Sequence, residues 1–226
     1  MTEGPIARTL LQVPEVMLAL ESVHGRARYV PRFDPMEELI SCILSQHSSD
    51  AASFPTFTRL RVRYPDWAEL AATDSATLAD VIRKAGLANQ KAKSILRVLA
   101  AIRETMGDFS LEPLRTWTTE EAENWLRSLP GVGPKTAAIV LCFALGRHAV
   151  PVDTHVSRVS KRLGLLPPGT DDKTAHQLLK AMVPEGDAFR FHLALIQHGR
   201  KICQAKRPLC GHCPLNRSCP SALEVA

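Results

Sequence analysis

Four cysteines crowd into 17 residues near the end of this 226-residue chain, spaced Cys203-x6-Cys210-x2-Cys213-x5-Cys219. A segment this short cannot bury a core of its own, so something must tie it. The chain opens MTEGPIARTL, with an early acid and no long apolar stretch, and no secretory signal is expected. Clustered cysteines without a secretory context argue for a metal centre rather than disulfides. Four thiolates suit a structural zinc ion or an iron–sulfur cluster, and general chemistry does not separate the two. Pro208 and Pro214 favour a tight, non-helical wrap around the site. The other cysteines, Cys42 and Cys142, sit in the apolar runs LISCIL and IVLCFAL and read as buried small hydrophobes.

The same stretch holds the charge. The chain has 28 Lys plus Arg against 23 Asp plus Glu, a net of +5. Residues 197–220 contain Arg200, Lys201, Lys206, Arg207 and Arg217 and no acid, while the other 202 residues balance at 23 and 23. A basic surface confined to one place fits a phosphate-rich partner better than a weakly basic protein at large would. The longest apolar run, Ala137 to Leu145, is far too short to cross a membrane. No membrane partner, a cytoplasmic location and a monomer are expected.

Helix signals dominate the rest. Asp34-Pro35 reads as a cap followed by proline at the first helical position, with Met36, Leu39, Ile40, Ile43 and Leu44 behind it at helical spacing. Ala92, Ile95, Leu96, Leu99 and Ile102 form a second stripe that Gly107 ends, and Thr118-x-x-Glu121 is a capping-box pattern. Lys135 to Leu145 reads as one strongly apolar helix stopped by Gly146. Asp153-Thr154 opens another helix, Leu178, Leu179 and Met182 mark one more, and Phe191 to Ile196 lead into the cysteines. Pro55 is expected to interrupt any helix after Asp50. No run alternates as a strand does, so the fold class is all-α.

Between two of these helices lies Leu129-Pro130-Gly131-Val132-Gly133-Pro134-Lys135-Thr136. Two glycines one residue apart, flanked by prolines, force a tight turn. The next helix then offers free backbone N–H groups to an anion such as a phosphate. Bare glycines let a nucleic-acid backbone come close, and outward carbonyls could hold a monovalent cation bridging to it. An ordinary Gly-rich corner is the competing reading, just as an ordinary N-cap is for Asp153.

LPGVGPKTAAIVL, then VDTH, then HGRKIC and the four-cysteine loop resemble, in that order, bacterial endonuclease III of the helix-hairpin-helix DNA glycosylase family. The 6-2-5 cysteine spacing matches that family's 4Fe–4S loop. Residues 85–92, AGLANQKA, are similar to its IGLYNSKA, and residues 44–50, LSQHSSD, to its LSAQATD. The resemblance covers about residues 30–220. It implies a bifunctional DNA glycosylase and AP lyase of base excision repair, acting on double-stranded DNA with damaged pyrimidines or abasic sites. Lys135 would be the nucleophile that attacks C1′, Asp153 would stabilise the sugar cation, and Cys203, Cys210, Cys213 and Cys219 would hold the 4Fe–4S cluster. Leu87 would wedge into the duplex, with Gln46 or His47 from the other loop. Gly131, Val132 and Gly133 of the hairpin, with Lys201, Lys206 and Arg207, would contact the DNA backbone. Two domains are implied: a helical one over 28–147, and a cluster domain joining 1–27 to 148–226, with Lys135 and Asp153 facing each other across a cleft.

Several positions depart from the family. His47 stands where its wedge glutamine falls, with Gln46 beside it. Pro134 replaces an arginine, and Ala138 and Cys142 replace two asparagines. The rival readings are an adenine-specific mismatch glycosylase, a silent iron–sulfur DNA-binding module and a zinc-stapled structural protein. Lys135 argues against the first, whose members lack that lysine and carry a further C-terminal domain, whereas seven residues follow Cys219 here. Lys135 together with Asp153 argues against the second.

Overall fold

The computed structural model describes residues 11–222; the opening MTEGPIARTL, on which the secretory reading rests, and the last four residues lie outside them. Among the described residues there are eleven α-helices and no strand, which is the expected all-α class. They are α1 (Val13–His24), α2 (Pro35–Ser45), α3 (Asp50–Arg63), α4 (Trp67–Ala71), α5 (Ser75–Ile82) and α6 (Ala88–Met106), then α7 (Thr119–Ser128), α8 (Pro134–Ile139), α9 (Thr154–Arg162), α10 (Asp172–Met182) and α11 (Ala188–Lys201). The chain divides into two compact units. One is Pro31–Leu145; the described part of the other comprises residues 11–30 and 146–222.

The continuous unit is built around α2. Asp34 caps it by accepting the Glu37 N–H at 2.9 Å, and Pro35 occupies the first turn, where its missing N–H costs nothing. Nine of its eleven residues are buried, because α3, α6 and α8 all pack against it. On α6 the apolar stripe Ala92, Ile95, Val98, Leu99 and Ile102 is fully buried, and the helix ends at left-handed Gly107. Each such leucine or isoleucine contributes about 1.5–3 kcal/mol by leaving water. The capping box at Thr118 and Glu121 forms and starts α7.

Two expectations fail in this unit. Pro55 does not interrupt α3, which runs through it. Ala51, whose carbonyl loses its helical partner, and Pro55 are both exposed, so water replaces the lost bond. The Thr56 and Thr58 hydroxyls donate to the Ala52 and Phe54 carbonyls on either side. The expected single helix 135–145 is also not uniform. It is α-helical to Ile139 and then widens into a π-turn over Val140–Ala144. The wider turn buries four of its five residues, Val140, Leu141, Cys142 and Ala144.

The other unit joins α1 to α9, α10, α11 and the cysteine loop. Helix α11 packs on both α9 and α1, with Val16, Leu20, Val156, Val159, Phe191 and Leu195 fully buried. Arg190 on α11 forms an ion pair with Glu21 on α1 at 2.8 Å. Leu179 is the buried anchor of α10; Leu178 and Met182, which share its sequence pattern, are exposed.

Glu38 gives this fold a stability test. Its carboxylate has no exposed surface and pairs with Arg32 at 2.5 Å, the arginine side chain being half exposed. Arg32→Met leaves that carboxylate buried and unpaired. It should cost about 2 kcal/mol, less than for a fully buried pair because water reaches the arginine side. The double variant Arg32→Met with Glu38→Leu should recover most of the loss. Urea titration of the three proteins reads both effects, and a stable single variant would show that the pair contributes nothing.

Candidate active site and metal centre

The hairpin between α7 and α8 is anchored from below. Leu129 and Val132 are buried, and the Val132 N–H donates to the Leu129 carbonyl at 3.1 Å. Val132 therefore offers a partner only its carbonyl. Gly131 has φ 81°, a left-handed conformation that glycine adopts without strain. Gly133 is different: its φ is −91° and a Cβ there would meet nothing within 4 Å. The fold would accept a side chain at 133, and its bareness leaves the backbone open to close approach. Lys135, in the first turn of α8, is exposed, and Thr136 behind it is buried.

The two loops matched to wedges share an unusual backbone. Among the described residues only His47 (φ 52°) and Leu87 (φ 49°) are non-glycine residues with positive φ. A leucine held there costs about 1–2 kcal/mol, a strain that collects at working sites. Leu87 is 52% exposed, an apolar tip without a packing role. His47 is exposed and Gln46 partly so, which makes His47 the outer of the two candidates. Beneath both loops lies Lys91, buried on α6, a residue to which the sequence assigned no role. Its signal was legible, since it falls in phase with the apolar stripe through Ile95 and Ile102.

In the other unit, Asp153 is the N-cap of α9 and accepts the Val156 N–H at 2.7 Å. Its second oxygen leaves a carboxylate edge for chemistry, so capping and catalysis are compatible. Two arginines then tie α9 to the end of α11 and to the cysteine loop. Arg158 donates to the carbonyls of Gly199 (2.9 Å) and Cys203 (3.0 Å). Arg162 donates to the Gln204 and Ala205 carbonyls at 2.7 and 2.9 Å and to the Cys203 sulfur at 3.4 Å. No sequence signal pointed to these two arginines, because their acceptors lie more than 40 residues away.

All four cysteines line one cavity, together with Arg162 and His198, of about 390 Å³ including its open mouth. Among the described residues no three His, Cys, Asp or Glu side chains converge closely enough to hold a single metal ion. The four thiols that line the cavity are donors of the kind a metal centre uses. Burial pushes the Cys213 thiol up to about 11, so loading metal there releases a proton. His198 Nε2 lies 3.5 Å from the Cys213 sulfur, and its Nδ1 lies 3.2 Å from His24 Nε2. Burial first, and His24 second, lower His198 to about 4, so it is neutral at neutral pH. A metal-bound thiolate can only accept, so loading metal at Cys213 would make Nε2 the donor to sulfur and Nδ1 the acceptor from His24. Arg200, Lys201, Lys206, Arg207 and Arg217 are all exposed around this loop. Cys42 and Cys142 are buried, as expected of small hydrophobes, and burial raises both thiols, Cys142 to about 12.

A Gly/Pro hairpin carrying an exposed lysine, an Asp-capped helix and a four-cysteine loop thus follow one another along this helical chain. The family described as HhH-GPD superfamily base excision DNA repair protein matches residues 40–185, and the chain belongs to it. Endonuclease III of Synechocystis sp. is 37% identical over 211 residues, spanning 92% of this chain and 91% of the relative. Endonuclease III of Thermotoga maritima is 35% identical over 202 residues, spanning 89% and 90%. The solved structure of a trapped endonuclease III–DNA covalent intermediate, an estranged-adenine complex, aligns with a TM-score of 0.79 at 29% identity, covering 94% of this chain and 97% of that one. No helix among the described residues is long and apolar enough to cross a membrane.

The dual reading of Asp153 separates by substitution. Asp153→Ala removes the cap and should cost about 1 kcal/mol of stability, whereas Asp153→Asn keeps an acceptor for Val156 and should cost only a few tenths. Thermal melts of both variants check this. Equal losses would show that the carboxylate does more for the fold than cap α9.

Proposed function

We propose that this chain is a bifunctional DNA N-glycosylase and AP lyase of base excision repair, acting in the cytoplasm on oxidised pyrimidines and abasic sites in double-stranded DNA. The observation that carries this reading is Lys135, exposed in the first turn of the helix behind a bare hairpin, in a chain of this family. An adenine-specific glycosylase needs no amine there.

The chemistry follows from an amine near a sugar. The damaged nucleotide turns out of the stack, because C1′ is otherwise out of reach. Lys135 Nζ attacks C1′, the C1′–N bond to the base breaks, and the base leaves with the electron pair and takes up a proton. Asp153 stabilises the positive charge on the sugar as that bond stretches and assists the proton transfers. Opening of the sugar ring gives a Schiff base between Nζ and C1′. That cation acidifies the proton at C2′, whose loss expels the 3′ phosphate and cuts the strand by β-elimination. Water then frees the lysine.

The remaining residues hold the DNA. Gly131 and Gly133 admit a phosphate at the hairpin, where the Val132 carbonyl is a suitable ligand for a monovalent cation bridging to it. Leu87 and His47, with Gln46 beside it, fill the space that the extruded nucleotide leaves; apolar wedges at base steps are a known device for kinking DNA. Lys201, Lys206 and Arg207, with Arg200 and Arg217, face the backbone phosphates. Cys203, Cys210, Cys213 and Cys219 hold a 4Fe–4S cluster, a reading supported by their lining one cavity and by the kinship with endonuclease III. Bound there, the cluster would staple the loop through the four cysteines, with Arg162 and His198 beside the Cys203 and Cys213 sulfurs.

Borohydride trapping tests the lysine. Wild-type protein should form a covalent complex with DNA carrying an oxidised pyrimidine, Lys135→Gln should form none, and Asp153→Asn should slow base removal about a hundredfold. Trapping that survives Lys135→Gln places the nucleophile elsewhere. The metal centre has its own readout. Purified protein should be brown, with about four irons per chain, and Cys213→Ser should lose colour and iron together; a colourless protein containing zinc would refute the cluster.

A further inference from the structure

Lys91 is a cation where an apolar residue would serve the core. It lies one turn before Ile95 on the buried stripe of α6, with only 3% of its surface exposed. Buried ammonium groups are rare and normally pair with a carboxylate. Lys91 instead gives its three hydrogen bonds to neutral oxygens: the Leu44 carbonyl at 2.7 Å, Ser48 Oγ at 2.7 Å and the Ala85 carbonyl at 2.8 Å. An ammonium has three donors, so all are used. Burial lowers its pKa, which marks the cost of keeping a charge there.

The acceptors identify what that cost secures. Leu44 and Ser48 bracket Gln46 and His47, and Ala85 lies two residues before Leu87. The Ser48 hydroxyl also donates to the Ala85 carbonyl, so the two loops meet directly over the ammonium. Each loop carries one of the two left-handed non-glycine residues among those described. A lysine that merely filled the core would explain the burial. It would not explain acceptors that flank both strained tips and nothing else.

We infer that Lys91 is a positioning residue that locks the two loops into one rigid wedge, so that His47 and Leu87 enter the duplex together. This rests on the wedge reading of those loops proposed above. Without the ammonium, three acceptors lose their partner, the loops separate, and each tip relaxes from its strained conformation. The lysine touches no DNA and takes no part in the bond-breaking steps.

The test compares full-length wild type with Lys91→Met, Ser48→Ala and Leu87→Ala. The substrate is a duplex with a tetrahydrofuran abasic analogue opposite 2-aminopurine, whose fluorescence rises when it is unstacked. Borohydride trapping is measured in parallel on a natural abasic site in duplex and in single-stranded DNA. Leu87→Ala should lose most of the fluorescence rise, and Lys91→Met should lose it as well. Lys91→Met should also slow duplex trapping about tenfold more than single-strand trapping, the equivalent of one lost charge-assisted hydrogen bond. Ser48→Ala should move both readouts in the same direction by less. A purely structural lysine would slow both trapping reactions equally or neither, and either result overturns the inference. If Lys91→Met does not fold, Ser48→Ala decides: an unchanged fluorescence rise overturns the inference and a reduced one supports it. If Leu87→Ala keeps the rise, the wedge reading fails and takes this inference with it. If Leu87→Ala loses the rise while Lys91→Met keeps it, the inference alone fails.

Discussion

A helix buried on every side cannot rotate or slide without disturbing all that packs on it, and α2 is such a helix. Its neighbours α3, α6 and α8 fix its axis, and its buried residues fix its rotation. The loop with Gln46 and His47 leaves its C-terminus, and the helix that presents Lys135 lies along its side. Helix α2 thus sets the spacing between the point where the duplex would be entered and the amine. Burying Glu38 in the middle of it, paired with Arg32, adds directional polar contacts to a surface of aliphatic side chains, which by themselves tolerate small shifts.

In the other unit α9 performs a comparable duty. Asp153 caps its first turn, and Arg158 and Arg162 reach from its later turns to the cysteine loop. Nine helical residues span about 13 Å. Asp153 and the cysteine loop are therefore joined by one rigid rod. The cysteine loop thus has a mechanical connection to Asp153, because it supplies the carbonyls on which the rod rests.

A few helix starts were legible because their signals are local. Asp34, Thr118 with Glu121, and Asp153 each satisfy N–H groups two or three residues away, and such contacts need no knowledge of the fold. The cysteine loop, Lys135 and Asp153 were legible as an ordered set of motifs. What escaped depends on partners far along the chain. Helix α3 tolerates Pro55 because that turn faces water, a fact fixed only by packing. The π-turn at Val140–Ala144 arises from how four apolar residues are buried together, which no apolar run announces. Positive φ at His47 and Leu87 is not announced by residue type, since leucine disfavours it and even histidine adopts it only occasionally. Lys91 showed as a charge on an apolar stripe, but its acceptors up to 47 residues away did not.

The chain order of the two units has a consequence for synthesis. Helix α1 is made first, yet its partner α11 lies 169 residues later at the Arg190–Glu21 pair. The whole of Pro31–Leu145 emerges from the ribosome between them. At about 5–20 residues per second, α1 waits roughly ten seconds or more with Val16, Met17 and Leu20 lacking their final cover. The unit bearing the hairpin can be complete before the unit bearing the cysteines has its last helix. The cysteine loop follows α11, so any centre it holds can close only after every described α-helix has been made.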